Sequence, residues 1–213
     1  MKVFHTESQH DVYGTIVSLL REGGIIAFPT DTSYGLGADP FNDAAVERIF
    51  TIKGRSETKP ILLLVDSATT AERVIRPTDI FFRVVEKFWP GPLTIITHAE
   101  RSLPARVTAG TNTIGVRWPI APFATTLVSR FGNPLTATSA NRSGMPSAVT
   151  ADEVRRQLGE SVDALADGGI LPSREGSTLL DLSVDPPVIL RDGLLPFDSL
   201  AEFFKGRIRR RVA

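Results

Sequence analysis

Lys53-Gly54-Arg55, with Lys59 close behind, and the distant segment Thr138-Ser139-Ala140-Asn141 are the residues of this chain best suited to holding an anion with several oxygens. Arginine offers a planar fork of donors that matches phosphate, and lysine a compact mobile charge. Serine and asparagine add neutral hydrogen bonds that fix orientation. A nucleoside triphosphate is the natural ligand for such a set. Taken singly, each stretch has a plainer reading. Cations beside a helix C-terminus meet its dipole favourably, and Ser139 and Asn141 can be turn residues. Thr30-Asp31-Thr32-Ser33-Tyr34-Gly35 forms a third polar stretch, placed directly after an apolar run. Its hydroxyls could hold the amine or hydroxyl of a small zwitterion, or could only satisfy the loop's own backbone. The combination favours a shared site: several polar loops each follow an apolar strand, and strand ends can converge on one edge of an α/β sheet.

Other chemistries are excluded or weakly supported. The chain has no cysteine, which removes disulfides, thiolate catalysis and thiolate metal sites. His5, His10 and His98 show no paired spacing for zinc, and no metal site is expected. No Gly-x-x-x-x-Gly-Lys-Ser/Thr occurs. Gly35-Leu36-Gly37 fails as a dinucleotide fingerprint because Pro40 stands where its third glycine belongs. Ser139 lacks both a Gly-x-Ser-x-Gly turn and an evident histidine partner.

The elements that must position these residues follow from hydrophobic spacing. Val12, Ile16, Leu19 and Leu20 predict a helix stopped by Gly23-Gly24. Ile25 to Phe28 reads as a buried strand broken by Pro29, and residues 30–40 as a turn-forming loop. Asn42 or Asp43 can cap a helix carrying Ala44, Val46, Ile49, Phe50 and Ile52, with Lys53 just past its end. Strands are expected at Ile61 to Val65, Leu93 to Thr97, Thr113 to Arg117, Leu135 to Thr138, Thr178 to Leu182 and Val188 to Arg191. Helices are expected after Thr78, over Ala121 to Arg130, after a Thr150–Glu153 capping box, and near Leu200 to Phe204. Strands interleaved with helices, without repeats or a linker, imply one α/β domain over 1–206 on a twisted mixed sheet, followed by a basic tail at 207–213. The 213 residues suffice for a substantial core, and the formal charge of zero gives no global pull toward nucleic acid or membrane. The longest strong apolar run is far too short to span a bilayer, and a soluble cytoplasmic protein is expected.

The motifs recur in a recognisable order. They are Phe28-Pro29-Thr30-Asp31-Thr32-Ser33-Tyr34-Gly35-Leu36, Lys53-Gly54-Arg55 with Lys59-Pro60, Trp89-Pro90-Gly91-Pro92-Leu93-Thr94, Arg117-x-Pro119, Thr138-Ser139-Ala140-Asn141 with Ser143-Gly144, Ser177-Thr178, and Leu190-Arg191-x-Gly193. From about Gly23 to Gly193 the chain resembles the YrdC-like L-threonylcarbamoyladenylate synthases. The resemblance implies a twisted mixed sheet with flanking helices and a concave, basic cleft. It implies a nucleotidyltransferase that joins L-threonine, bicarbonate or carbon dioxide, and ATP into threonylcarbamoyl-AMP and pyrophosphate, for the threonylcarbamoyladenosine modification of tRNA. Lys53, Arg55, Ser139 and Asn141 match the family's catalytic tetrad. The resemblance assigns Arg55, Lys59, Thr113, Ser139, Ser147 and Arg191 to ATP, and Thr32, Arg117 and Ala137 to threonine, with Arg117 on its carboxylate. Mg²⁺ is implied as a substrate-held cofactor, and tRNA or a downstream threonylcarbamoyl transferase as a possible partner. One position departs from the pattern. Leu64 stands where some members carry a histidine that contacts threonine, which leaves room for a relative acting on another amino acid. The arginine-rich end supports a second reading, a double-stranded RNA or tRNA binder without catalysis, against which the zero net charge and the Thr32 loop count.

Overall fold

Short polar side chains start the helices by accepting hydrogen bonds from otherwise unpaired N–H groups. The structure, a computed structural model, describes residues 1–7, 11–54 and 60–211. Asp11 accepts from the Gly14 N–H at 3.0 Å to open α1 (Val12–Arg21). Asn42 accepts from Ala45 at 3.1 Å to open α2 (Asp43–Lys53). Ser67 and Thr78 do the same for α3 (Ala68–Glu72) and α4 (Asp79–Phe88). Pro122 in the first turn opens α6 (Pro122–Phe131), after the short α5 (Ala105–Thr108). Thr150 caps α7 (Ala151–Leu158), but the Glu153 carboxylate bonds the N–H of Val149 rather than that of Thr150, so the expected reciprocal box is shifted by one residue. The last helix is α8 (Phe197–Phe203).

Eleven strands among the described residues form one sheet: β1 (Lys2–His5), β2 (Ile26–Phe28), β3 (Gly35–Gly37), β4 (Leu62–Leu64), β5 (Leu93–His98), β6 (Thr113–Arg117), β7 (Leu135–Ser139), β8 (Ala164–Asp167), β9 (Thr178–Asp181), β10 (Val188–Arg191) and β11 (Arg209–Arg210). Their order is β1-β8-β2-β3-β7-β4-β6-β5-β9-β10-β11. Five pairings are parallel and five antiparallel, which makes this the mixed α/β sheet the sequence implies.

One face packs Ile25, Ala27, Leu63, Ile95, Val116 and Leu180 against α2, α4 and α7. The other packs Ile26, Phe28, Leu64, Leu135 and Ala137 against Val12, Ile16 and Leu20 of α1 and Phe123, Leu127 and Val128 of α6. That second cluster stops at β4. Beyond it, the register sets Arg117 beside Leu64 and Gly115 beside Ile96, and pairs Thr94 with Leu179. Ile96 and Leu179 are half-buried and belong to neither apolar cluster. This stretch of the face lies outside both apolar clusters.

Two expectations are corrected. Residues 30–40 are not all loop, since Gly35–Gly37 pairs with both β2 and β7. The glycines there serve close approach: a Cβ on Gly37 would lie 2.7 Å from the Phe28 ring and 3.0 Å from the Thr136 carbonyl. Nor are residues 207–211, the described part of the expected tail, simply a tail. Ile208 is buried in the core, and Arg209–Arg210 runs parallel to β10. The sequence reading also missed β1, β8, α3 and α5. No helix among the described residues is long and apolar enough to cross a membrane.

Candidate active site

Lys53 ends α2, and Gly54 then takes the left-handed conformation (φ 57°) that lets the chain turn away. The lysine side chain is buried, not exposed as a cation at a helix terminus would be. Its Nζ donates to the Ser139 carbonyl, to the Asn141 carbonyl at 2.8 Å and to Asn141 Oδ1 at 3.4 Å. The Ser143 N–H returns a bond to the Lys53 carbonyl at 2.8 Å. Asn141 is held in turn by its own amide, whose Nδ2 donates to the Arg142 and Met145 carbonyls. One ammonium thus gathers the carbonyls of the loop that leaves β7, and three of the four tetrad residues, Lys53 and the distant pair Ser139 and Asn141, meet at one place. The fourth, Arg55, lies outside the described residues, as does Lys59.

The Thr30–Tyr34 loop is stitched to this center. The Ala140 N–H donates to the Tyr34 carbonyl at 2.8 Å, and the Tyr34 N–H to the Ala148 carbonyl at 2.9 Å. The fully buried Tyr34 ring reaches back to the end of β8, where its hydroxyl donates to the Gly169 carbonyl at 2.8 Å and accepts from the Gly168 N–H at 3.0 Å. Burial, with the nearby Asp167 carboxylate, pushes this phenol up to about 12 against the Gly168 bond that lowers it. The loop so anchored buries Thr30, Thr32 and Ser33, and the Thr30 and Thr32 hydroxyls meet at 3.0 Å.

From the far end of β6, Arg117 reaches the same loop. Its Nη1 donates to Thr32 Oγ1 at 3.4 Å, its Nε to the Gly91 carbonyl at 3.2 Å, and its Nη2 lies 2.7 Å from Asp31 Oδ1. That last contact is a close ion pair between buried atoms that are poorly aligned for a directed hydrogen bond. Burial draws the guanidinium's proton affinity down while Asp31 pushes it back up. Arg191 pairs in register with Leu179 and bonds the Ser177 carbonyl through Nη2 at 2.8 Å. Its side chain still reaches solvent, yet partial burial and the charge on Arg117 both lower its proton affinity. Asp31 pairs with Arg117, and the Arg191 guanidinium lies close enough to feel the Arg117 charge.

The remaining expected residues fall nearby in the fold. Thr113 opens β6 on the side where β4 begins and β7 ends, as follows from their parallel and antiparallel pairing, so it shares an edge with Ser139. Ala137 lies mid-strand in β7, paired with Leu62. Ser147 is half-buried in the loop beyond, its carbonyl accepting from Arg174 at 2.7 Å. Leu64 is buried in the second apolar cluster beside Arg117. A shallow cavity of about 380 Å³ is lined by Lys53, Gly54, Arg142 and Ser143. The sequence reading assigned no role to Asp31. The signal was present, an acidic residue within a motif otherwise made of hydroxyls and aromatics, but nothing in the sequence names its partner.

Residues 18–193 match the Sua5/YciO/YrdC family model, described as telomere recombination. A threonylcarbamoyl-AMP synthase of Pyrococcus abyssi is 37% identical over 191 residues, 89% of this chain and 56% of that protein. One of Thiobacillus denitrificans is 38% identical over 178 residues, 83% of this chain and 94% of its own length. The crystal structure of P. abyssi Sua5 complexed with L-threonine superposes with a TM-score of 0.93 at 33% identity, covering 99% of this chain and 62% of that one. The chain therefore spans little more than half of its P. abyssi relative.

Proposed function

The chain belongs to the Sua5/YciO/YrdC family, and we propose that it is a threonylcarbamoyl-AMP synthase, a nucleotidyltransferase acting on L-threonine, bicarbonate or carbon dioxide, and ATP. The observation that carries this reading is the buried Lys53 ammonium, which joins α2 to the Ser139–Asn141 loop beside the Thr32–Arg117 contact. A phosphate-binding edge and an amino-acid-binding loop thereby share one wall.

In this reading the amine of threonine takes up carbon dioxide to give a carbamate. A carbamate oxygen then attacks the α-phosphorus of ATP, and the bond to pyrophosphate breaks. The chain contributes position and field, with no covalent intermediate. Arg117 receives the threonine carboxylate and Thr32 lies alongside. Lys53 holds the Ser139 loop in place and keeps a positive charge at the sheet edge, and Ser139, Thr113, Ser147 and Arg191 face the nucleotide together with Arg55 and Lys59. The ligand would lie over the sheet between the Thr32 loop and Arg191, the basic cleft of the proposal. The oxygens around Lys53 are carbonyl and amide oxygens bonded to its ammonium, and no cluster of carboxylates and histidines stands among the described residues. Mg²⁺ would be carried in by the phosphates, where it would supply charge neutralisation. The adenylate would pass to a transferase acting on tRNA.

The test is an omission series. Purified protein with ATP and Mg²⁺ is expected to release pyrophosphate only when L-threonine and bicarbonate are both present. Release that ignores either one contradicts the reading.

A further inference from the structure

Asp31 and Arg117 form a buried pair of an unusual kind. Their side chains are 10% and 6% exposed, and their nearest atoms are 2.7 Å apart. At that distance a guanidinium and a carboxylate ordinarily exchange directed hydrogen bonds, two of them when the carboxylate lies in the plane of the fork. Here Asp31 Oδ1 and Arg117 Nη2 are close but poorly aligned for one. The attraction is kept while the hydrogen-bonding capacity of these two atoms is poorly used, a costly arrangement for buried atoms. The rest of the Arg117 fork is only lightly engaged, by a 3.2 Å bond to the Gly91 carbonyl and a 3.4 Å bond to Thr32. Arg191 adds a second positive charge nearby.

We propose that Asp31 is a placeholder: the resident counter-ion of Arg117, exchanged for the carboxylate of the amino-acid substrate when that substrate binds. The inference rests on the threonine reading of the site given above and assigns a residue that reading leaves without a role. An incoming carboxylate in the plane of the guanidinium makes better-aligned bonds than Asp31 does. Asp31 sits in the Thr30–Tyr34 loop beside Thr32, so its release and the arrival of substrate at Thr32 are one event. In the empty protein Asp31 keeps Arg117 neutralised and folded in place. Its cost is competition, because substrate binds only the fraction of molecules in which the pair has opened. Asp31 is thus a positioning residue that tunes affinity for the substrate's carboxylate.

The experiment compares wild type with Asp31→Asn by calorimetric titration of L-threonine and, separately, of ATP, together with melting temperatures with and without threonine. If the pair is closed about nine-tenths of the time, the variant binds threonine about tenfold more tightly. It should also melt lower than wild type when empty and gain more on adding threonine. An unchanged or weaker threonine affinity overturns the exchange, as does an equal gain for ATP, which would mark a general charge effect. Should Asp31→Asn fail to fold, Asp31→Ser, also neutral and smaller, makes the same comparison. A wild-type protein that does not bind threonine at all contradicts the proposed function itself, a failure distinct from one in which only the variant's response goes the wrong way.

Discussion

At the residue scale the account turns on Lys53. A buried ammonium is tolerated because carbonyl oxygens replace its water shell, and each charge-assisted bond of this kind contributes about 1.5–3 kcal/mol. Lys53→Met keeps the stem and orphans the Ser139 and Asn141 carbonyls. Its melting temperature is expected to fall by about 5–10 °C, from a loss of about 2–3 kcal/mol, and its pyrophosphate release by about a hundredfold or more. Calorimetry and the release assay check the two separately, and full activity in a destabilised variant would show that the lysine only holds the fold. Tyr34 gives a test in pH. Its hydroxyl is held protonated in the folded state, pushed up to about 12 from an ordinary 10.0. A group whose folded pKa is raised contributes stability that is complete below the unfolded value and lost as pH climbs through the folded one. Denaturant unfolding is therefore expected to lose about 2–3 kcal/mol between about pH 10 and pH 12, and Tyr34→Phe should flatten that decline.

At the scale of elements, sequence and structure agree where patterning is strong and part where it is weak. The helix over Asp43–Lys53 was legible because Asn42 caps it and its apolar residues recur at helical spacing. Gly35–Gly37 was not, because glycines that permit close strand approach look the same in sequence as glycines that make a turn. Ala164–Asp167 offers small residues with no alternation, and Lys2–His5 is a partly exposed edge. Of the candidate site, the residue types and their order were readable, but the joining of Lys53 to Ser139 and of Asp31 to Arg117 depends on non-local strand pairing. A core prediction belongs here too. Thr97 in β5 buries its hydroxyl without a hydrogen-bond partner. Valine has nearly the same shape and no polar atom to desolvate. Thr97→Val is expected to gain about 1 kcal/mol, raising the melting temperature by about 2–4 °C. A loss of stability would mean that the hydroxyl has a partner after all.

For the whole molecule, the sheet closes its far edge with residues that composition alone marks as a solvated tail. The Arg209 N–H donates to the Pro187 carbonyl and the Arg211 N–H to the Ile189 carbonyl, each at 2.9 Å, while Ile208 packs into the core. Removing residues 207–213 is therefore expected to cost at least the burial of one isoleucine, about 1.5–3 kcal/mol, where loss of a free tail would cost nothing measurable. Distant segments also converge on the site, since Thr32, Lys53, Arg117, Ser139 and Arg191 come from five separate parts of the chain. A ligand that touches several of them stabilises the whole fold, and saturating threonine at about a hundredfold excess over its Kd should add about 2.7 kcal/mol. The most direct test of the proposed chemistry follows the carbon atom that must be captured. The protein is incubated with ATP, Mg²⁺, L-threonine and ¹³C-bicarbonate, and the products are resolved by mass spectrometry. The account expects threonylcarbamoyl-AMP carrying the label, absent from Lys53→Met. Pyrophosphate accompanied by unlabelled threonyl-AMP, or by AMP alone, would contradict it.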